Sequence, residues 1–162
     1  MTKTDSLFLY LIRCAIIGER AQELEMSGSD KWELYRLAGE QHVLSLIADL
    51  LHEDSEGQPK KSGIEEHARL QTVAQAQRTA DFLLLLQGLQ QQGLHPVVVK
   101  GIVCRNLYPE PELRPSVDED LLIRPEEYPV YHAALMAAGF CTDKGEEAVE
   151  DYEVAFVHPD SH

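Results

Sequence analysis

The residues best suited to chemistry are two aspartates in the second half of the chain. Asp118 and Asp120 stand at the start of the apolar run Leu121–Ile123. On a β-strand, residues two apart project from the same face, with Cα atoms roughly 6.6 Å apart. Their carboxylates would then converge on one or two divalent cations, while Glu119 points the other way. Hard oxygen ligands suit Mg²⁺ or Mn²⁺ rather than zinc, and such ions assist phosphoryl transfer.

The spacing of these two acids is common in this chain, so their context matters. The same acid-x-acid pattern occurs at Glu23/Glu25, Asp54/Glu56, Glu110/Glu112 and Asp151/Glu153. An arbitrary pair of this kind is usually a solvated turn or surface face. Asp118 and Asp120 differ because they stand at the start of a predicted apolar strand. Ligand sites of open α/β architectures lie at strand ends.

A second candidate element is the turn at Val98-Val99-Lys100-Gly101, where a predicted strand passes into a predicted helix. Free backbone N–H groups at a helix start attract phosphate, and glycine lets a ligand approach closely. Lys100 adds a point charge suited to phosphate oxygens. The alternative is an ordinary turn with a solvated lysine. The Walker pattern GxxxxGK[ST] is absent, so a P-loop enzyme is not implied.

Helices are predicted in the first half. Apolar spacing predicts one helix from Leu7 to about Glu25, and a second from Lys31 to about His52 with Asp30 as its N-cap. An acidic linker, Glu53–Gly63, follows. A third helix should run from Ile64 to about Gln92 and bury Phe82–Leu86, which is apolar on every side.

The second half reads as β-α-β-α-β, in which helices cover a sheet. Val97–Val99 is predicted as a buried strand, Gly101 to about Leu107 as a short helix, and Asp118–Ile123 as a second strand. The loop between them contains Pro109, Pro111 and Pro115. A further helix should run from Pro125 to about Ala138, with Gly139 at its end. Strand candidates follow at Phe140–Thr142 and Tyr152–Val157.

Composition narrows the function classes. The 162 residues carry 28 acidic and 14 basic side chains, a formal charge of −14. That charge disfavours a long nucleic-acid partner but allows a small anion in a locally basic pocket. No apolar run suffices to span a bilayer, so no membrane partner is expected. Cys14, Cys104 and Cys141 form no CxxC pair, which favours a reducing cytoplasm.

The central motifs resemble those of the uncharacterised nucleotidyltransferase family, within the DNA polymerase beta-like nucleotidyltransferase superfamily. The segments that carry the likeness are Val97-Val98-Val99-Lys100-Gly101, Asn106-Leu107-Tyr108-Pro109 and Leu113–Pro125, followed by Ala134-Leu135 and Ala138-Gly139-Phe140. The helical part is similar more loosely, through Trp32 and Glu40–Leu44. The resemblance implies an α+β fold with an α/β-type core. N-terminal helices with the linker (1–60) would pack on a small mixed nucleotidyltransferase-like sheet (64–162).

The resemblance also assigns roles to individual residues. Asp118 and Asp120 match the metal-binding aspartates. Gly101 stands where relatives have the glycine of a Gly-Ser pair, but Ile102 replaces the serine, so a serine contact to phosphate is missing. Arg114 and Ser116 match the loop before the aspartates and are expected at the triphosphate. A purely structural arginine is the alternative for Arg114.

The superfamily normally uses a third carboxylate on a later strand. The sequence ends at His162, just before the place where the resemblance implies that segment, so we expect the nucleotidyltransferase core to be truncated here. The alternative is that Glu153 takes the role.

Three functions remain open at this point. The first is Mg²⁺- or Mn²⁺-dependent transfer of a nucleoside monophosphate from a nucleoside triphosphate to an unknown acceptor. The second is an inactive nucleotidyltransferase fold that binds nucleotide or a protein partner, as in a toxin–antitoxin pair. The third is a helical protein in which Asp118 and Asp120 merely cap a turn.

Overall fold

The computed structural model describes residues 2–21, 26–48, 50, 63–148 and 151–159. The elements, in chain order, are α1 (Lys3–Ile17), α2 (Gly28–Glu40), α3 (Leu44–Ile47), α4 (Gly63–Gln91), β1 (Val97–Val98), α5 (Ile102–Arg105), a 3₁₀ turn (Pro111–Leu113), β2 (Leu121–Leu122), a second 3₁₀ turn (Pro125–Glu127) and α6 (Tyr128–Ala137). The protein therefore has an α+β fold, as predicted.

The first two helices begin with the same local device, a capping box. In α1, the Thr2 hydroxyl accepts from the Asp5 amide and the Asp5 carboxylate accepts from the Thr2 amide. In α2, Ser27 and Asp30 make the same reciprocal pair. The predicted N-cap at Asp30 is therefore wrong. Asp30 is the third helical residue and Ser27 is the cap, because the capping box needs an acid three residues after the hydroxyl.

Both early helices end sooner than predicted. Helix α1 stops at Ile17, and Gly18 follows in the left-handed conformation (φ 70°), whereas the expected end at Glu25 lies outside the described residues. Helix α2 stops at Glu40, and His42 has a positive φ of 55°. The single predicted helix Lys31–His52 is thus wrong: the chain turns at Gln41–His42 and restarts as α3, so that Leu44–Ala48 become buried.

Internal contacts divide the chain into two compact units. The first comprises Met1–Gln77 with Gly101–Asp118, and the second comprises Arg78–Lys100 with Glu119–His162. The first unit has a core centred on Leu11, Leu34 and Ile47, all fully buried. The domain boundary predicted between residues 60 and 64 lies at the end of the acidic linker. Residues 53–62 of that linker lie outside the described part.

Helix α4 has nearly the predicted bounds, and Gly93 follows it with a φ of 78°. The expectation that Phe82–Leu86 is buried all round is wrong, since Leu83 is 50% exposed and Leu84 65% exposed. Phe82 and Leu89 are buried, and Leu85 packs with Leu89. These three positions follow the i, i+3, i+7 spacing of one helical stripe, so the leucines between them face away from it.

The described strands form one two-stranded antiparallel sheet, with Val97 opposite Leu122 and Val98 opposite Leu121. The sheet is smaller than predicted and is antiparallel, not mixed. Leu121 and Ile123 pack with Leu89 of α4 and with Tyr131 and Ala134 of α6, whereas Val97, Val99 and Leu122 on the other face are exposed. An antiparallel sheet tolerates one solvated face, so the prediction of a strand buried throughout at Val97–Val99 is wrong.

The predicted helix from Pro125 is confirmed, with its first turn in the 3₁₀ form and Gly139 after its end at φ 93°. The two strand candidates that follow reduce to a single bridge. Cys141 and Val157 exchange both backbone hydrogen bonds at 2.8 Å. Because Phe140 and His158 are in edge contact beside that bridge, ring packing holds this pair of segments together.

Candidate functional site

The turn at Lys100-Gly101 has a backbone geometry that requires glycine. Gly101 is buried and adopts φ 52° and ψ −113°, near the first central position of a type II′ turn. A Cβ is disfavoured in this region of backbone space. The helix that follows, α5, has only four residues, so its dipole offers little to an anion. The chemical interest of the turn therefore lies in Lys100 and in access to the backbone at Gly101.

Lys100 forms an ion pair with one of the two candidate metal ligands. Its Nζ lies 3.3 Å from Oδ2 of Asp120, with side-chain exposures of 71% and 26% respectively. The Val99 amide donates to the Asp120 carbonyl at 3.1 Å, which carries the β1–β2 pairing one residue beyond the ladder. The backbone of the small sheet thus sets where Asp120 stands relative to Lys100.

Asp120 has an oxygen that suits a cation. Its Oδ2 atom is buried and accepts no hydrogen bond from any described residue; the Lys100 ammonium is near it but outside hydrogen-bond geometry. A buried carboxylate oxygen without a donor is unfavourable. A hard divalent cation bonds to such an oxygen directly, so Asp120 fits the proposed metal.

Asp118 lies in different surroundings. It is the last residue of the first unit and is exposed. Within the described ranges its carboxylate makes no hydrogen bond or ion pair. The prediction that Asp118 and Asp120 both belong to a strand is wrong, because β2 begins at Leu121. Strand geometry therefore does not place the two carboxylates on one face. Their assignment as metal ligands depends on the family motif.

The other two nucleotide-binding candidates are engaged in contacts within the first unit. The Arg114 guanidinium lies over the Tyr108 ring, 5.6 Å from its centroid. The Ser116 hydroxyl accepts a hydrogen bond from Nη1 of Arg105, and the Ser116 amide donates to Oε1 of Gln75 at 2.8 Å. Both residues therefore shape the loop that leads to Asp118.

Arg105 is a residue that sequence reasoning missed. It ends α5 and is 1% exposed, the largest side chain among the fully buried ones described. Burying a charge is unfavourable unless it is paired or hydrogen-bonded, so a cation in this place indicates a specific role. The available signal was the lone arginine directly after the apolar stretch Ile102-Val103-Cys104.

Glu153, the candidate within this sequence for a third carboxylate, belongs to the second unit and is exposed. Among the residues that the structure describes, no group of three or more His, Cys, Asp and Glu side chains is arranged to hold a metal ion.

Arg124, at the end of the central motif, has a local role. Its guanidinium lies 2.7 Å from Glu127, and its amide donates to the same carboxylate. This hydrogen bonding raises the pKa of Arg124, and the same contacts lower the pKa of Glu127. Both groups are therefore charged at neutral pH, and they fix the 3₁₀ turn before α6.

Comparison with known proteins decides the family. A family model described as an uncharacterised nucleotidyltransferase matches residues 27–160. The chain belongs to this uncharacterised nucleotidyltransferase family. The matched residues include all six predicted site residues, from Lys100 to Asp120, and membership supports a nucleotidyltransferase activity in general terms. Neither the curated proteins nor the solved structures provide a match.

The three cysteines are free thiols. Within the described ranges, no helix has the length and apolar character needed to cross a membrane.

Proposed function

We propose that this protein transfers a nucleoside monophosphate from a nucleoside triphosphate to an acceptor hydroxyl, with Mg²⁺ or Mn²⁺ as cofactor. Asp118 and Asp120 are the metal ligands. Lys100, Gly101, Arg114 and Ser116 belong to the part of the chain that receives the triphosphate.

The observation that carries the proposal is the environment of Asp120. It combines a buried oxygen that lacks a hydrogen-bond donor with a partly exposed carboxylate beside an exposed ammonium. This arrangement offers one ligand to a cation and one positive charge to a phosphate. This aspartate stands two residues after Asp118, and both lie within the residues that the family model matches.

The reaction places separate demands on the residues. The acceptor oxygen forms a bond to the α-phosphorus, the bond from that phosphorus to the bridging oxygen breaks, pyrophosphate leaves, and the hydroxyl proton passes to solvent water. Bound divalent ions would neutralise triphosphate charge and orient the reacting oxygens. Lys100 supplies a charge-assisted contact to a phosphate oxygen. Gly101, without a side chain, lets the phosphate approach the backbone.

The net charge of the protein limits the class of molecule that can be the acceptor. A formal charge of −14 repels an extended polyanion, so the acceptor is a small molecule, a protein side chain or a short RNA end rather than long nucleic acid. A protein acceptor or partner is compatible with this surface. The free thiols match a cytoplasmic site of action.

The test measures nucleotide binding first and turnover second. Calorimetry with ATP, GTP, CTP and UTP, each with Mg²⁺, should give heat for at least one. Pyrophosphate release in the presence of candidate acceptors should then be abolished by Asp118→Asn and by Asp120→Asn. Asp81→Asn, an exposed aspartate of α4, is the isosteric control and should keep the wild-type rate. Unchanged pyrophosphate release in both Asp118→Asn and Asp120→Asn would show that these residues are not the metal ligands.

A second candidate function is an inactive nucleotidyltransferase fold that binds nucleotide or a protein partner. The Lys100–Asp120 ion pair favours it, because the chain itself supplies a cation to this carboxylate. This function predicts nucleotide binding that survives removal of Mg²⁺ by EDTA, with no pyrophosphate released. The enzymatic proposal predicts that EDTA abolishes both binding enthalpy and release.

A further inference from the structure

Three side chains of the first unit meet around Ser116, and they are called the Ser116 cluster here. They are Gln75 of α4, Arg105 of α5 and Ser116 itself. Arg105 donates to the Ser116 hydroxyl, and Gln75 accepts from the Ser116 amide at 2.8 Å. Gln75 and Arg105 are both almost completely buried, at 2% and 1% exposure. Ser116 is therefore held on two sides by groups that solvent does not reach.

Arg105 is also tied to the Gly101 turn. Its backbone amide donates to the Gly101 carbonyl at 3.0 Å, the bond that closes the single turn of α5. Arg105 thus connects two segments. Its backbone is bonded to the Gly101 turn, and its side chain is bonded to the loop before Asp118. Both connections lie within the first unit.

Packing does not fix the residues that follow Ser116. Val117 is 94% exposed, and Asp118 is exposed as well. An exposed valine has few neighbours to restrict it, so the direction of the chain at Asp118 depends on the bonds at Ser116. The Ser116 cluster therefore acts on Asp118 through the backbone of residues 116–118 and not through a contact with its carboxylate.

We infer that Arg105 is a positioning residue, which holds Asp118 for metal binding by fixing Ser116 against α5 and α4. The inference rests on the proposed function where it concerns the metal. It also changes the expectation for Ser116, whose hydroxyl serves the protein's own arginine and not the triphosphate. Arg105 and Ser116 then act as one unit.

The first test is independent of any metal or nucleotide. Hydrogen exchange of the backbone amides of residues 114 and 116–118 is measured in the full-length protein, with peptides of α1 and α2 as internal reference. Arg105→Met and Ser116→Ala should speed exchange in 114–118 and leave the reference peptides unchanged. Wild-type exchange in 114–118 for both variants would overturn the inference. If Arg105→Met does not fold, Ser116→Ala, which removes the same hydrogen bond from its other side, decides the test.

The second test measures Mn²⁺ affinity by the spectroscopic signal of free Mn²⁺. Arg105→Met and Ser116→Ala should each weaken it by about 10-fold, the lower end of the range for groups that support a metal ligand, because both act on Asp118 through the backbone. Ser116→Thr keeps the hydroxyl and should restore affinity to near the wild-type value. The double variant Arg105→Met/Ser116→Ala should be no weaker than either single one, because the pair acts together.

The possible failures are distinguishable. Additive losses in the double variant would show that Ser116 and Arg105 act separately, which contradicts the inference. A loss of ATP affinity in Ser116→Ala alone would return Ser116 to a direct phosphate contact. If Asp118→Asn leaves Mn²⁺ affinity unchanged, the proposed metal ligand is wrong, whereas the exchange measurement still decides whether Arg105 fixes the loop.

Discussion

The ammonium of Lys100 lies 3.3 Å from Oδ2 of Asp120, so the carboxylate proposed to bind metal already faces a cation of the chain. An ion pair this exposed contributes roughly 0 to 1 kcal/mol. A divalent ion that coordinates the carboxylate directly competes against a weak partner. Once the metal has replaced it at Asp120, the same lysine can contact a phosphate oxygen.

Removing that lysine should raise metal affinity and lower nucleotide affinity. We expect Lys100→Met to bind Mn²⁺ more tightly than the wild type in the absence of nucleotide, because Asp120 loses its competing cation. Its ATP affinity in the presence of Mn²⁺ should fall, because one charged phosphate contact is gone. Calorimetry of both titrations measures the two effects.

The matched control is Lys144→Met. Lys144 lies 3.0 Å from Asp151 in the same unit, so its loss changes the net charge equally and also breaks one ion pair. It should leave both affinities near those of the wild type. An equal gain in Mn²⁺ affinity in both variants would mean that overall charge, and not Asp120, sets metal binding.

Replacing Gly101 tests the turn. Gly101→Ala should destabilise the protein by about 1 to 3 kcal/mol, because alanine is strained at φ 52° and ψ −113°. Gly88→Ala is the control, since Gly88 lies inside α4 and a Cβ there would meet nothing within 4 Å. That substitution should stabilise by about 0.5 to 1 kcal/mol. Urea unfolding measures both, and equal effects would contradict the structure of the turn.

The two faces of α4 should respond differently to truncation. Leu89→Ala should cost about 2 to 5 kcal/mol, because Leu89 is fully buried against Tyr131 and Ala134. Leu84→Ala should change the free energy of unfolding by less than about 0.5 kcal/mol, because that side chain is largely exposed. Thermal unfolding of the two variants checks this difference. A large loss in Leu84→Ala would indicate that a partner or another copy covers this face.

The capping box of α2 should make stability depend on pH in the acid range. Hydrogen bonds from Ser27 hold the pKa of Asp30 below its ordinary value of 3.8. A lowered folded-state pKa stabilises above the unfolded value and loses that effect as pH falls through the folded one. Asp30→Asn should therefore reduce the stability difference between pH 6 and pH 3, measured by urea unfolding at each pH.

A second variant separates the two causes of the lowered Asp30 pKa. Lys3 lies 3.4 Å from Asp30 and lowers the same pKa less than Ser27 does. Lys3→Met should thus have a smaller effect than Asp30→Asn, and one that 0.5 M salt removes. A larger effect in Lys3→Met would show that the ion pair, and not the cap, lowers the pKa.

Local signals in the sequence sufficed for much of the secondary structure. The end of α4 followed from Gly93 and Pro96, and the start of the 3₁₀ turn that leads into α6 followed from Pro125, because these residues restrict their own backbone whatever surrounds them. The family motif from Val97 to Pro125 likewise singled out the candidate site residues. The position of the α2 cap was missed by three residues because Ser27 and Asp30 both suit a helix start.

The amino-acid sequence alone determined the helical content, the glycine turn at Gly101 and the family, since each depends on short stretches of chain. Tertiary structure decided which apolar residues are buried: Leu89 has Tyr131 beside it, whereas Leu84 points the opposite way from that stripe. It also decided that Arg105 lies inside, bonded to Ser116 from another part of the chain. Burial and partner choice depend on residues distant in sequence, and no local pattern contains them.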